Sequence, residues 1–253
     1  FHDRTIASKM TGEINSRSAV RSLTGMAAVL AHEVKNPLSG IRGAAQLLEQ
    51  GANEEDRELT QLICDETDRI CGLVDSMEVF SEQPQMDRDE VNIHQVLDHV
   101  RKLAENGFAT HVRFQERYDP SLPPVSGNRD QLVQVFLNLL KNAAEAVANQ
   151  NGEIIITTGY QHGLRVIHPG SKQRTQLPLV ITITDNGEGI PDDMHSHLFD
   201  PFVTSKPGGT GLGLPLVAKI IGDHGGMIEF SSEPGCTTFR IYLAAYRQME
   251  ASK

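Results

Sequence analysis

The chain has 253 residues, 39% of them hydrophobic and 22% charged, and a formal net charge of −10. This length allows one large domain or two small ones with a buried core. The acidic balance argues against nucleic acid or an anionic membrane as partner, because neither attracts an acidic surface.

Neither a signal peptide nor a run of about 18 apolar residues is evident, so we expect a cytoplasmic protein with no membrane segment in this chain. The three cysteines have no ligand-type spacing, which fits free thiols in a reducing compartment.

Two apolar seams at heptad spacing occupy the first third of the chain. One runs from Leu23 to Leu48 and the other from Leu59 to Met77. Gly51 suits the end of the first helix, and Asn53, followed by three acidic residues, suits the start of the second. The pattern predicts a helical hairpin over residues 19–84. A single hairpin leaves its apolar stripes half exposed, so we expect a homodimer in which two hairpins form a four-helix bundle.

Residues 1–18 carry a weaker heptad pattern and are expected to form an incoming signalling helix or linker.

From residue 85 to 253 helical and strand periods alternate, which predicts an α/β sandwich with its helices on one sheet face. Residues 162–176 are expected to form a long hairpin loop, either a docking surface or a passive insertion. The predicted elements are a helix capped by Asn92, a strand in HVRFQERY, a helix in NRDQLVQVFLNLLKNAAEAVANQ, strands in EIIITTGY and LVITITD, a helix over 214–224, and strands in GMIEFSS and TTFRIYLAA.

An ionisable pair, His32 and Glu33, lies on the first predicted helix. His32 falls about 200° around the helix from the seam, and Asn36 lies within about 40° of it. A lone helical histidine is usually a solvated surface residue. Here Glu33 can accept a proton from one ring nitrogen and leave the other as a nucleophile. Pro37 lacks an N–H group and predicts a bend just beyond the histidine, so a reactive histidine is the favoured interpretation.

Two polar motifs follow in the second part. In NLLKNAAEAV, Asn138 and Asn142 are four residues apart and share one helix face beside Lys141. Either asparagine alone would indicate a cap or a surface residue. In DNGEGIP, Asp185 directly follows a predicted strand, although this pattern by itself is also ordinary turn chemistry.

A glycine-rich stretch, LFDPFVTSKPGGTGLGLPL, precedes the helix predicted near residue 214. Free amides at a helix N-terminus can bind phosphate. A glycine run is weak evidence because it also mimics a dinucleotide-binding fingerprint. That alternative fails here, since no strand leads directly into the glycines and no βαβ unit surrounds them.

In this order, LAHEVKNPLSGIRGAAQLLE and the three later stretches resemble the sequence boxes of two-component sensor histidine kinases. The NPLSGIRGAAQLLE continuation is most similar to the nitrogen-regulation members of that family. The resemblance implies an α+β catalytic core without the sensing domain. It would consist of a dimeric hairpin followed by an ATP-binding α/β sandwich of the type shared by gyrase B, Hsp90, histidine kinases and MutL.

The resemblance also implies roles for individual residues. His32 would be phosphorylated, Glu33 would be its acid/base partner, and Asn36 would position water for dephosphorylation of a response regulator. Asn142 would bind Mg²⁺, and Asp185 would accept a hydrogen bond from the adenine amino group of ATP. The other implied nucleotide-binding residues are Asn138, Lys141 and Lys206 near the phosphates, Gly187 and Gly189 against the base, Phe199 and Phe202 at the base of a mobile lid, Gly209, Gly211, Leu212 and Gly213 at the phosphate-binding turn, and Thr238, which would support the adenine contact through water.

The implied activity is autophosphorylation of His32 and transfer to an aspartate of an NtrC-like response regulator, with phosphatase activity toward that regulator. A regulatory protein of the PII type is a further implied partner. Two alternatives stay open: an ATPase of the wider superfamily without phosphohistidine, and a nonenzymatic dimeric scaffold. Whether phosphorylation occurs within one protomer or across the dimer also stays open, because it depends on the turn around Gly51.

Overall fold

A computed structural model describes residues 34–81, 88–147, 151–167, 174–206 and 209–246. The chain divides into two compact units, Phe1–Pro84 and Gln85–Lys253. His32, Glu33 and the predicted incoming segment 1–18 lie outside the described residues. Within the described part, no helix is long and apolar enough to cross a bilayer.

The described part of the first unit, residues 34–81, is a helical hairpin, as predicted. Helix α1 covers residues 34–49 and continues without interruption past Pro37, and helix α2 covers Glu54–Ser81. The Asn53 side chain accepts a hydrogen bond from the Asp56 N–H group at 2.8 Å, which caps α2. Three acidic residues in the first turn of α2 favourably oppose the positive end of its dipole.

One side of each hairpin helix faces the other helix, and the neighbouring side remains open. Leu38 and Ala45 on α1 and Val74 on α2 are buried, and Arg42 on α1 forms a 3.0 Å ion pair with Asp68 on α2. The remaining described seam positions are exposed in the single chain: Val34, Ile41, Leu48, Leu59, Ile63 and Ile70.

The described strands of the second unit are β1 (Asp89–Val91), β2 (Arg113–Arg117), β3 (Val125–Gly127), β4 (Glu153–Tyr160), β5 (Arg165–Ile167), β6 (Arg174–Gln176), β7 (Leu179–Asp185), β8 (Met227–Glu233) and β9 (Cys236–Leu243). The described α-helices are α3 (Ile93–Asn106), α4 (Arg129–Ala146) and α5 (Gly213–Asp223). Five of the strands form a mixed sheet in the order β2-β4-β7-β9-β8, in which β2 runs parallel to β4 and all other neighbours are antiparallel. Strands β1 and β3 form a separate two-stranded ribbon, and β5 and β6 form another.

The three helices cover one face of this sheet. Alternate residues of β4 and β7 are buried, including Ile154, Ile156 and Ile181, while their neighbours are partly exposed. Helix α4 packs between α3 and α5 and contacts both β4 and β7. Alternation with period two is what a sheet covered on one side requires, so the predicted α/β sandwich is confirmed.

Several local features differ from the sequence-based expectations. The β1-β3 ribbon was not predicted, because three-residue strands are too short to show an alternating pattern. The 3₁₀ helix Asp192–His197 was also missed. The expected long loop over 162–176 instead contains the β5-β6 ribbon. Helix α4 ends at Ala146, four residues before the predicted end, because Val147 adopts an extended conformation.

Candidate nucleotide-binding site

Asp185 closes strand β7 with a buried carboxylate. Its side chain is only 4% exposed, and Oδ1 accepts a hydrogen bond from the Gly187 N–H group at 2.9 Å. Burial raises the pKa of Asp185 to about 6, although the Gly187 hydrogen bond and the positive charge of Lys206 act in the opposite direction. A desolvated hydrogen-bond acceptor of this kind suits an amino group on a ligand.

The two glycines of the following loop are required by the protein's own packing. A Cβ atom on Gly187 would lie 2.6 Å from the Ala146 carbonyl oxygen at the end of α4. Gly189 has a φ of +90°, and a Cβ there would lie 2.8 Å from the Glu233 carbonyl oxygen. The loop is therefore pressed against α4 on one side and β8 on the other. This packing adds a second reason for the glycines, beyond the close approach to a base that the sequence suggested.

Thr237, rather than Thr238, shares the Asp185 face of the sheet. Asp185 pairs with Thr237 across β7 and β9, and directly opposite residues project to the same side. Thr238 pairs with Thr184, and their hydroxyl oxygens are 3.1 Å apart on the other face. The structure therefore does not bring Thr238 to the position expected of it. Thr237 is 3% exposed and occupies that position instead.

The polar face of α4 lies beside the start of α5. Asn138 and Asn142 are half-buried one turn apart, and Lys141 between them is exposed. The Asn138 Nδ2 group donates to the Gln134 carbonyl oxygen at 3.0 Å. Its Oδ1 atom lies 3.3 Å from where a Cβ on Gly213 would be, so the α4 face and the first residue of α5 are in close contact.

Helix α5 begins without a side-chain cap. Leu212 is at the N-cap position, is 2% exposed, and offers no side-chain hydrogen bond to the first turn. The N–H groups of Gly213 and Leu214 have no acceptor inside the helix, because the first turn of any α-helix leaves its donors free. Pro215 has no N–H group to satisfy. Two amide donors and the positive end of the helix dipole thus point out of α5, which suits phosphate oxygens.

Phe202 and Gly211 close the loop that precedes α5. The Phe202 N–H group donates to the Gly211 carbonyl oxygen at 2.9 Å. Gly211 has a φ of +65°, and a Cβ on it would lie 2.5 Å from the Phe202 carbonyl carbon. Phe202 also has a positive φ of 67° and is 57% exposed, whereas Phe199 packs edge-on against Phe230. A non-glycine residue with positive φ is uncommon and marks a tightly determined backbone.

Lys206, on the same loop, forms an ion pair with Glu145 on α4, with 2.6 Å between Nζ and Oε2. Gly209 is packed against Thr204, whose Oγ1 atom would lie 2.6 Å from a Cβ at that position. Residues 207 and 208 lie outside the described residues. The contact with Glu145 was not foreseen, because sequence spacing does not show that residues 61 positions apart meet.

The hairpin carries the other predicted site. Asn36 is exposed on α1, as its angular position on the predicted helix requires. The predicted phosphoacceptor His32 and its partner Glu33 precede the described residues. In the structure, Asn36 is thus the one member of this trio with a known environment.

Comparison with known proteins gives two family matches. Residues 127–247 match the family described as histidine kinase-, DNA gyrase B-, and HSP90-like ATPase, and residues 22–85 match the His Kinase A (phospho-acceptor) domain. The sensory histidine kinase/phosphatase NtrB of Azospirillum brasilense is 61% identical over 251 residues, covering 99% of this chain and 63% of that protein. NtrB of Rhodobacter capsulatus is 52% identical over 241 residues, covering 95% of this chain and 67% of that protein. The chain belongs to the NtrB family of sensory histidine kinases.

This NtrB-family chain spans about two thirds of the length of the curated relatives it matches. Its fold is similar to that of histidine kinase ThkA, solved in complex with the response regulator protein TrrA. The TM-score is 0.63 at 24% identity, over 97% of this chain and 68% of that one.

Proposed function

We propose that this chain is the catalytic core of a sensor histidine kinase, which transfers the γ-phosphoryl group of ATP to His32 and from there to a response regulator. The arrangement of the nucleotide site carries the proposal. The buried acceptor Asp185 directly precedes the loop that is packed on the end of α4 at Ala146, and the two free amide donors of α5 lie beside Asn138 of the same helix.

This arrangement fits ATP. The ionised Asp185 carboxylate accepts a hydrogen bond from the adenine amino group, and the Thr237 hydroxyl beside it reaches the neighbouring ring nitrogen directly or through water. Guanine has a carbonyl oxygen in place of that amino group, so the site selects ATP over GTP. The phosphates lie at the α5 N-terminus near Asn138, Lys141 and Lys206.

Asn142 would hold Mg²⁺ through its amide oxygen, together with phosphate oxygens of ATP. Mg²⁺ takes oxygen ligands and keeps several waters, so one half-buried amide oxygen on α4 suits this ion. When bound, the ion would neutralise charge on the phosphates.

At the hairpin, Glu33 holds the His32 ring in the tautomer whose free nitrogen faces the γ-phosphate and accepts the ring proton during attack. The P–N bond forms as the bond to the ADP oxygen breaks. Most of the rate acceleration comes from holding the imidazole and the γ-phosphoryl group in line, because the protein takes little covalent part in phosphoryl transfer.

The partner that receives the phosphoryl group is an NtrC-like response regulator. The NtrB relatives are named as kinases and phosphatases, and ThkA was solved with a response regulator. Asn36 is exposed and can orient a water molecule for the reverse, phosphatase reaction. On the same family argument, a regulatory protein of the PII type is a further proposed partner, and the proposed location is the cytoplasm.

The hairpin, residues 19–84, is the dimerisation and phosphotransfer domain, and residues 85–253 are the ATP-binding domain. Large apolar side chains along the seam support the dimer: Ile41, Leu48 and Leu59 are 50%, 66% and 59% exposed in the single chain. A second hairpin would cover them and form a four-helix bundle.

Labelling with γ-labelled ATP tests this function. Wild-type protein is expected to gain an acid-labile, base-stable label and pass it to an NtrC-like regulator. His32→Gln should abolish the label, while His99→Gln, at an exposed histidine of α3, should leave it intact. Asn36→Ala should keep the label and lose dephosphorylation of the regulator.

The other outcomes separate the alternatives. A label that persists in His32→Gln contradicts the phosphoacceptor assignment. ATP hydrolysis without any labelled protein favours an ATPase of the wider superfamily. Absence of Mg²⁺-dependent ATP binding favours a nonenzymatic scaffold.

A further inference from the structure

The loop that follows Asp185 is anchored by side chains at both ends. At its start, the Asn186 side chain accepts a hydrogen bond from the Glu153 N–H group and donates to the Asn151 carbonyl oxygen, each at 2.8 Å. At its end, the N–H group and the carbonyl oxygen of Ile190 are both hydrogen-bonded to side chains. The N–H group donates to Ser232 Oγ at 2.8 Å, and the carbonyl oxygen lies 3.0 Å from His195 Nε2.

Ser232 connects this anchor to the Asp185 face of the sheet. Its Oγ atom lies 2.9 Å from Thr237 Oγ1, and Thr237 is the cross-strand partner of Asp185. A line of hydrogen bonds therefore runs from the Ile190 amide through the Ser232 hydroxyl to the hydroxyl of Thr237, the cross-strand partner of Asp185.

We infer that Ser232 is a positioning residue for adenine recognition, because its hydroxyl accepts from Ile190, donates to Thr237, and so leaves the Thr237 proton directed at the base. This inference rests on the proposed binding of ATP. A hydroxyl has one proton to donate and two lone pairs that accept. With Ser232 as donor, Thr237 presents a donor next to the Asp185 acceptor. Adenine offers the matching acceptor N1 and amino donor, whereas guanine offers the reverse pair.

His195 positions the loop in a different way. Its ring holds the Ile190 carbonyl oxygen and packs edge-on against Phe230, with 5.3 Å between ring centroids. Phe230 also contacts Phe199, which connects the anchored loop to the chain segment that leads to α5. His195 bonds the Ile190 carbonyl oxygen and Thr237 bonds Ser232, so His195 fixes the position of the loop while Ser232 sets the direction of the Thr237 hydroxyl.

Nucleotide affinity of the full chain tests the assignment. Dissociation constants for ATP and GTP, measured by displacement of a fluorescent ATP analogue, should change selectively in Ser232→Ala: ATP binding weakens about tenfold while GTP binding changes little. Ser232→Thr, which restores the hydroxyl, should restore the ATP preference. Ser231→Ala is the matched control, because Ser231 lies on the opposite face of β8 and contacts Arg240.

His195→Phe keeps the aromatic packing and removes the donor, so affinity for both nucleotides should fall by a similar factor and the ATP/GTP ratio should stay constant. A ratio unchanged in Ser232→Ala, or not restored in Ser232→Thr, overturns the inference. If Ser232→Ala does not fold, Ser232→Cys, with its weak donor, carries the same ratio measurement. Wild-type protein that binds no ATP refutes the proposed function itself, whereas normal wild-type binding with an unaffected Ser232→Ala refutes only the role of Ser232.

Discussion

Large apolar side chains are buried in the α/β unit, whereas several of them are exposed in the hairpin. In the α/β unit Phe136, Ile154 and Ile181 are fully buried within one chain. In the hairpin Leu48 is 66% and Leu59 59% exposed, although both lie on a regular heptad seam. The α/β unit therefore completes its core by itself, whereas the hairpin needs a second surface, since exposed large apolar side chains on one face mark an interaction site.

A few polar residues of interest differ between the two units in the same way. Asp185, His224 and Thr237 are buried in the α/β unit, while Asn36 on the hairpin is exposed. Burying a polar group costs free energy unless the group is hydrogen-bonded, so the α/β unit holds these three side chains in a fixed geometry at a cost in stability. An exposed group on the hairpin carries no such cost and stays open to a partner protein.

The largest expected effect follows from removing the buried carboxylate. Asp185→Asn should weaken ATP binding by at least about a hundredfold, because a site built to accept a hydrogen bond is left with an unpaired polar group. The same change should raise the thermal midpoint of the nucleotide-free protein by about 2–4 °C. In the folded state the pKa of Asp185 is raised to about 6, above its ordinary value of 3.8, so the ionised form destabilises the fold at pH 7.

The pH dependence of stability and of ATP binding gives a second test of the role of Asp185. As pH falls from 6 toward 4, Asp185 becomes protonated in the folded state, so the stability advantage of Asp185→Asn should shrink. Wild-type affinity for ATP should also fall below about pH 6. Calorimetric titration and thermal unfolding at pH 7 and pH 4.5 measure both effects. An asparagine variant that is less stable at pH 7, or that binds ATP normally, contradicts the assignment of Asp185.

The next effect concerns the hairpin alone. Ile41→Glu places a carboxylate on the exposed seam, where burial against a second hairpin would cost several kcal/mol (on the order of 3 or more). The dimer is expected to dissociate, while ATP binding stays unchanged. Leu47→Glu is the matched control. Leu47 is more exposed, at 71%, but lies about 180° from Leu38 around α1, away from the seam.

Light scattering behind size-exclusion chromatography distinguishes the outcomes. A monomeric Ile41→Glu together with a dimeric Leu47→Glu supports the seam as the interface. Two dimeric variants would show that the hairpin is completed by some other surface, and two monomeric variants that the interface is not confined to the seam.

Features determined by local sequence were predictable, and those determined by tertiary pairing were not. Asn53 and Asn92 cap their helices as expected, because capping depends on residues within one turn. The choice between Thr237 and Thr238 was missed, because it depends on which residue of β9 stands opposite Asp185. The Lys206–Glu145 pair was missed for the same reason. Sequence therefore predicted the helices and strands that carry the candidate residues more reliably than it predicted which of these residues face one another.

The smallest expected effect concerns the stability that the α/β unit gains from a hydrogen-bonded residue inside its own core. His224 is 1% exposed and links two helices: its Nδ1–H group donates to the Ile220 carbonyl oxygen at 2.8 Å, and Nε2 accepts from the Asn128 N–H group at 3.0 Å. His224→Phe keeps the ring and leaves the Asn128 donor unsatisfied, which should cost about 1–3 kcal/mol. All four tyrosines lie in the second unit, so tyrosine fluorescence during urea unfolding reports on this unit alone.

The pH dependence of the stability difference between wild type and His224→Phe distinguishes a hydrogen-bonding role of His224 from a simple packing role. Burial lowers the pKa of folded His224 below its ordinary value of 6.5. The unfolded chain therefore takes up a proton first, and the stabilisation is complete above about pH 6.5 and lost as pH falls below it. The stability gap between wild type and His224→Phe should be widest at pH 7.5 and narrow toward pH 5. The Asp185 contribution has the opposite sign but is present in both proteins and cancels in the difference, so a gap that is constant with pH would mean that His224 acts through its volume alone.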